Sequence, residues 1–108
     1  MSFVRACGSA DLTSGQTVAA EVDGVAVALV RDEDEWYAIY DECSHAAIAL
    51  SEGDVEGCEI ECWLHGSRFD LRTGKPTGLP ATEPVAIYPV RVEGADVLVD
   101  VHNPLNTG

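Results

Sequence analysis

The sequence predicts an all-β fold: a small antiparallel β sandwich or barrel that carries an inserted subdomain. Three observations predict it. Asp23-Gly24 separates two apolar stretches, residues 17–22 and 25–31, and an Asp-Gly pair in that setting is a strong hairpin signal. Val97, Val99 and Val101 alternate with Leu98 and Asp100, which is the period of a strand. No segment sustains a helical period; residues 45–50 have room for one turn at most.

The elements follow in order. Residues 3–7 form a first strand, and Asp11-Leu12-Thr13-Ser14-Gly15 is turn chemistry. The hairpin around Asp23-Gly24 supplies two more strands. Residues 32–35 are too charged to bury and make a turn before Trp36-Tyr37-Ala38-Ile39-Tyr40, whose aromatic and β-branched side chains favour a pleated surface. Trp36 and Tyr37 are expected as neighbours of the sandwich, one inward and one outward. Residues 57–62 and 67–71 read as two strands of the insertion, with a turn over 55–58. Residues 86–92 and 97–101 are the last two strands, flanking Glu93-Gly94-Ala95-Asp96. The base thus comprises 1–40 and 84–101, the inserted subdomain about 41–83, and residues 102–108 a loose tail in which His102 is solvated.

The chain has 108 residues, enough for one domain with one modest core. Its longest apolar run, Val25 to Val30, is far too short to span a membrane. The start, Met1-Ser2-Phe3-Val4-Arg5, lacks the features of a signal peptide, so the expected compartment is the cytoplasm. A net charge of −13 argues against nucleic acid as a partner, because phosphate recognition needs a basic surface. The charge is uneven: no Lys or Arg occurs between Arg31 and Arg68, an interval holding eleven of the nineteen acidic residues. Such a surface keeps the protein soluble and can steer a basic partner toward it.

The chemistry concentrates between Cys43 and His65. Cys43-Ser44-His45 and Cys62-Trp63-Leu64-His65 are two Cys/His pairs at ligand spacing. Thiolate and imidazole suit zinc or iron–sulfur sites better than hard cations. The set is compatible with tetrahedral Cys2His2 zinc, in which it would hold the fold, and with a two-iron cluster carrying two cysteines on one iron and two histidines on the other. Cys7 and Cys58 remain as free thiols in a reducing compartment.

The surroundings of these pairs resemble the Rieske proteins. His65-Gly66-Ser67-Arg68-Phe69-Asp70, Thr73-Gly74-Lys75-Pro76 and, after the first pair, Ala49-Leu50-Ser51-Glu52-Gly53 match the family's pattern. The resemblance runs from Asp11-Leu12 to Val101 and is closest to the small ferredoxins of bacterial aromatic-ring dioxygenases. It implies a Rieske cluster-binding subdomain holding one [2Fe-2S] cluster, with Cys43, His45, Cys62 and His65 as ligands. It also implies a soluble, monomeric one-electron carrier without substrate chemistry of its own. Its partners would be a flavin-dependent ferredoxin reductase and a terminal non-haem iron oxygenase, with basic docking faces. Related chains are associated with iron–sulfur cluster assembly as well as with dioxygenases, so an electron donor for cluster assembly is an alternative reading; the fold also serves as the small subunit of assimilatory nitrite reductases, whose members often lack the ligands.

The same resemblance gives roles to residues around the cluster. Gly66 and Ser67 follow the second pair, and Ser67 matches a serine that bonds a bridging sulfide. Pro80, in Gly78-Leu79-Pro80-Ala81, matches a stiff proline loop over the cluster. High-potential relatives carry a disulfide at the places of Ile48 and Leu64 and a tyrosine at that of Phe69. This chain has neither, which implies a low potential within the family range of about −150 to +300 mV. Trp63 departs from the proline common at its position.

Overall fold

The structure, a computed structural model, describes residues 3–33, 35–42, 49–56, 58–62, 68–77 and 84–105. Ten strands occur among them: β1 (Val4–Gly8), β2 (Gln16–Val22), β3 (Val25–Asp32), β4 (Glu35–Tyr40), β5 (Asp54–Glu56), β6 (Glu59–Glu61), β7 (Arg68–Asp70), β8 (Ile87–Tyr88), β9 (Val90–Glu93) and β10 (Asp96–Val99). Every pairing between them is antiparallel. The only helical element among the described residues is a single 3-10 turn, Leu50–Glu52.

Three sheets result, ordered β1-β10-β9, β2-β3-β4-β8 and β5-β6-β7. The four-stranded sheet is the middle layer. On one side Val27, Leu29, Ala38 and Tyr88 pack against Cys7, Val97 and Val99 of the first sheet. On the other, Ala28, Val30, Ile39 and Ile87 pack against Leu50, Ile60, Phe69 and Leu71. Burial on both faces explains why residues 25–30 form a continuous apolar run instead of alternating; Val27, Ala28, Leu29 and Val30 are all fully buried. Trp36 and Tyr37 point to opposite faces of this sheet, and each is half-buried against a different apolar cluster.

The β2–β3 hairpin turns at Asp23-Gly24 as expected. Both residues have positive φ, 50° and 81°, and Val22 pairs with Val25. That geometry matches the right-handed twist of the strands, and glycine adopts it without steric cost.

The structure corrects three expectations. The turn at 32–35 is tighter, because Asp32 and Glu35 are themselves cross-strand partners. Val55 and Glu56 belong to a strand, β5, which pairs with β6 and leaves only 57–58 for the turn, residue 57 lying outside the described residues. The stretch 86–92 is not one strand. It divides at Pro89 into β8, which joins the middle sheet, and β9, which joins the first. Proline has no N–H for a ladder, so it suits the corner where a chain changes sheets; the Pro89 carbonyl still accepts a bond from the Asp100 amide at 3.2 Å.

Beyond β10, Asp100 is fully buried and accepts hydrogen bonds from the His102 amide (3.0 Å) and the Asn103 side chain (2.8 Å). His102 is exposed, with Nε2 3.0 Å from Asp23 Oδ2, and the Leu105 amide donates to the Ile87 carbonyl at 2.8 Å.

Candidate metal centre

The three-stranded sheet β5-β6-β7 shows strict alternation. Val55, Ile60 and Phe69 form an inward cross-strand row, with Ile60 and Phe69 fully buried. The rows on either side, Asp54-Glu61-Arg68 and Glu56-Glu59-Asp70, face outward. Cys62 follows β6 directly and is 1% exposed, in one apolar cluster with Leu50, Ile60, Phe69 and Val85. Such surroundings suit a thiolate whose charge a metal neutralises, because an unpaired buried charge is costly. The one described member of the expected donor set therefore fits a metal-bound sulfur.

Of the residues read from the sequence as a site, the structure describes Cys62 and Phe69. Cys43, His45, His65, Gly66, Ser67 and Pro80 lie outside the described residues. Accordingly, no group of three potential metal ligands occurs among the described residues.

The framework brings the ends of the three site segments, 43–48, 63–67 and 78–83, together. At the first, both oxygens of Asp41 accept bonds from Ser51, one from the amide and one from the hydroxyl, each at 2.7 Å. At the second, Glu61 and Arg68 are cross-strand partners, and Arg68 Nε donates to Glu61 Oε2 at 2.9 Å. Gly53 joins the first to the second: a Cβ there would lie 1.8 Å from the Glu61 carbonyl oxygen. The third joins through Thr77, whose amide donates to the Arg68 carbonyl at 2.7 Å, and through Val85, whose amide donates to the Gly74 carbonyl at 2.9 Å. Sequence reading missed Asp41, Glu61 and Arg68. The signal for Arg68 was present, since it ends the interval that has no other cation.

The outer face of this sheet is acidic. Asp54, Glu56, Glu59 and Glu61 line a shallow groove with Arg68. Arg68 reaches Glu59 at 3.7 Å and Glu56 at 4.0 Å in addition to Glu61. Its hydrogen bond to Glu61, and then the charge of that carboxylate, raise its pKa further above an already high value, so it stays charged.

The remaining described cysteines lie apart from this arrangement. Cys7 is buried in the other core cluster, as expected of a small apolar side chain, and burial pushes its thiol pKa up. Cys58 is half-buried, with Sγ 3.7 Å from Asp32 Oδ2 and 3.8 Å from the Tyr37 hydroxyl. The hydrogen bond from Tyr37 to Glu35, then burial, raises the phenol's pKa.

The model of the Rieske [2Fe-2S] domain matches residues 2–89. The chain belongs to this family. One Rieske [2Fe-2S] cluster is therefore its cofactor, which decides between the two metal sites that the donor set admits. The biphenyl dioxygenase ferredoxin subunit of Pseudomonas sp. (strain KKS102) is 40% identical over 101 residues, 93% of each chain. Among solved structures, the ferredoxin of carbazole 1,9a-dioxygenase from Nocardioides aromaticivorans IC177 superposes with a TM-score of 0.87 at 46% identity, covering 92% of this chain and 97% of that one. A chain in the complex of reduced oxygenase and oxidized ferredoxin in carbazole 1,9a-dioxygenase superposes with a TM-score of 0.84 at 34% identity, covering 90% and 91%. This Rieske chain thus shares both its sequence and its all-β antiparallel fold with ferredoxins of dioxygenase systems. Among its described residues no helix is long and apolar enough to cross a membrane.

Proposed function

We propose that this protein is the ferredoxin component of an aromatic-ring dioxygenase system. It accepts one electron from a flavin-dependent reductase and passes it to a terminal non-haem iron oxygenase. It works as a cytoplasmic monomer and has no substrate chemistry of its own. Cys43 and Cys62 would hold one iron of the cluster, and His45 and His65 the other. When bound, the cluster supplies reversible one-electron transfer. The chain's own residues set how that happens. Two thiolates cancel the charge of the diferric core and neutral imidazoles add none, so an added electron meets less repulsion than at an all-cysteine site. Gly66, Ser67, Phe69 and Pro80 would surround the cluster, Ser67 as a donor to sulfide and Pro80 as part of a stiff cover. Residues 41–83 would serve as the cluster-bearing part, 1–40 and 84–101 as the base beneath it, and 102–108 as a tail.

The observation that carries this reading is the position of Cys62. It is buried directly after β6, in one apolar cluster with Leu50 and Phe69, close in sequence to the segments that would bear the other ligands. The match to dioxygenase ferredoxins over nearly the whole chain supports the carrier role. The acidic outer face of β5-β6-β7 suits basic docking faces on both partners.

Stopped-flow mixing tests the role. The dithionite-reduced protein should reoxidise rapidly when mixed anaerobically with the terminal oxygenase of an aromatic-ring dioxygenase. Loss of colour on reduction, followed by no reoxidation beyond the buffer rate with any such oxygenase, would refute it.

A further inference from the structure

We propose that Arg68 is a positioning residue for the ligand segment 62–67, acting as a clamp through Glu61. The inference rests on the cluster-carrier reading above and adds a role to a side chain that this reading leaves unused.

Three observations carry it. First, Glu61 and Arg68 are the last paired residues of β6 and β7, so their ion pair joins the two strands where their pairing ends. Nε–Oε2 is 2.9 Å, a charge-assisted hydrogen bond in length. Second, the main chains of the same two residues tie in the other site segments. Gly53 packs against the Glu61 carbonyl, and Thr77 donates to the Arg68 carbonyl. A shift of either residue therefore moves the ends of all three segments together. Third, among the described residues Arg68 is the one cation lining a groove with four carboxylates, which form two pairs, Asp54–Glu61 and Glu56–Glu59, directly opposite each other across the β5–β6 ladder. Like charges in such positions repel. Arg68 lies within 4.0 Å of three of them and offsets that repulsion where the sheet must hold Cys62.

An isolated exposed ion pair contributes little to global stability. Both side chains here are about one-third to two-fifths exposed, 34% for Glu61 and 41% for Arg68, so the effect belongs in local opening of the site and not in the unfolding midpoint. Extraction of iron by a chelator from the holoprotein reads that opening. Iron and sulfide analysis of the parent comes first, since a parent without a cluster would refute the carrier reading and not the clamp alone. With the cluster present, Arg68→Gln and Glu61→Gln should each speed iron extraction by up to about fivefold. The exchange of Glu61→Arg together with Arg68→Glu should return the rate to near the parent's, a rescue that simple removal of charge does not produce. At about 1 M salt, where screening extends only ~3 Å, the difference between Arg68→Gln and the parent should shrink. If Arg68→Gln fails to fold, Arg68→Lys keeps the charge, loses the guanidinium fork and should show a smaller acceleration. Single variants that release iron at the parent's rate, or an exchange no better than the singles, would overturn the clamp.

Discussion

Gly53 and Glu61 are packed backbone against backbone: a Cβ on residue 53 would fall 1.8 Å from the Glu61 carbonyl oxygen. Here glycine is needed for space and not for a left-handed conformation, since its φ is −86°. Gly53→Ala must push β5 away from β6 where both lead to the site. Overpacking of this kind costs about 1–3 kcal/mol. Urea unfolding should show a lower midpoint and the purified variant a lower iron content. A parent-like midpoint with full iron would mean that the strands can part here without cost.

Asp41 and Ser51 offer a gentler change at the first site segment. Ser51→Ala removes the hydroxyl bond to Asp41 and keeps the amide bond. Bonds to charged acceptors contribute about 1.5–3 kcal/mol. Faster loss of iron to a chelator is expected, with a smaller effect than that of Asp41→Ala, which removes both acceptors. Equal effects from the two variants would show that the amide bond contributes nothing.

Much of the framework was legible because its signals are local. Asp23-Gly24 states its own turn, and the alternation from Val97 to Val101 states a strand. Pro89 was harder. Residues 86–92 are apolar enough to read as one strand, and only the pairing of β8 with β4 and of β9 with β10 reveals the corner. The burial of the middle sheet on both faces needed the third layer in place. The Rieske family was legible through the spacing and context of the Cys/His pairs. The clamp was not, because Glu61 and Arg68 become partners only through the β6–β7 register, and acidic residues in a long acidic interval look alike in sequence.

Cys58 supplies a control. Its sulfur faces Asp32 and Tyr37, and its main-chain carbonyl accepts the Leu71 amide at 2.7 Å. Cys58→Ser keeps the main chain and should leave the visible and EPR spectra unchanged. Loss of iron in this variant would require a different ligand set.

Phe69 tests how the surroundings tune the potential. It is fully buried and shares an apolar cluster with Cys62. A tyrosine hydroxyl there that donates to a ligand sulfur stabilises the reduced state, which carries one more negative charge. About 1 kcal/mol of such a bond corresponds to roughly 40 mV for one electron. Phe69→Tyr should raise the midpoint by some tens of millivolts in protein-film voltammetry. A midpoint at or below the parent's, with the bond seen in a crystal structure, would refute this tuning.

Charge steering gives a further expectation. The screening length is about 8 Å at physiological salt and about 3 Å at 1 M. Electron transfer to the oxygenase should therefore slow as salt rises. Stopped-flow rates independent of ionic strength would assign the acidic face between β5 and β7 to solubility alone.

Pulsed EPR on the one-electron-reduced protein tests the ligand assignment and the carrier role together. The chain has three histidines, of which His102 lies beside Asp23. With His45 and His65 on one iron, the spectrum should give one spin per chain with two strongly coupled imidazole nitrogens, unchanged by His102→Ala. A protein that yields no spin on reduction, or a spin without coupled nitrogen, would contradict a Rieske carrier built on Cys43, His45, Cys62 and His65.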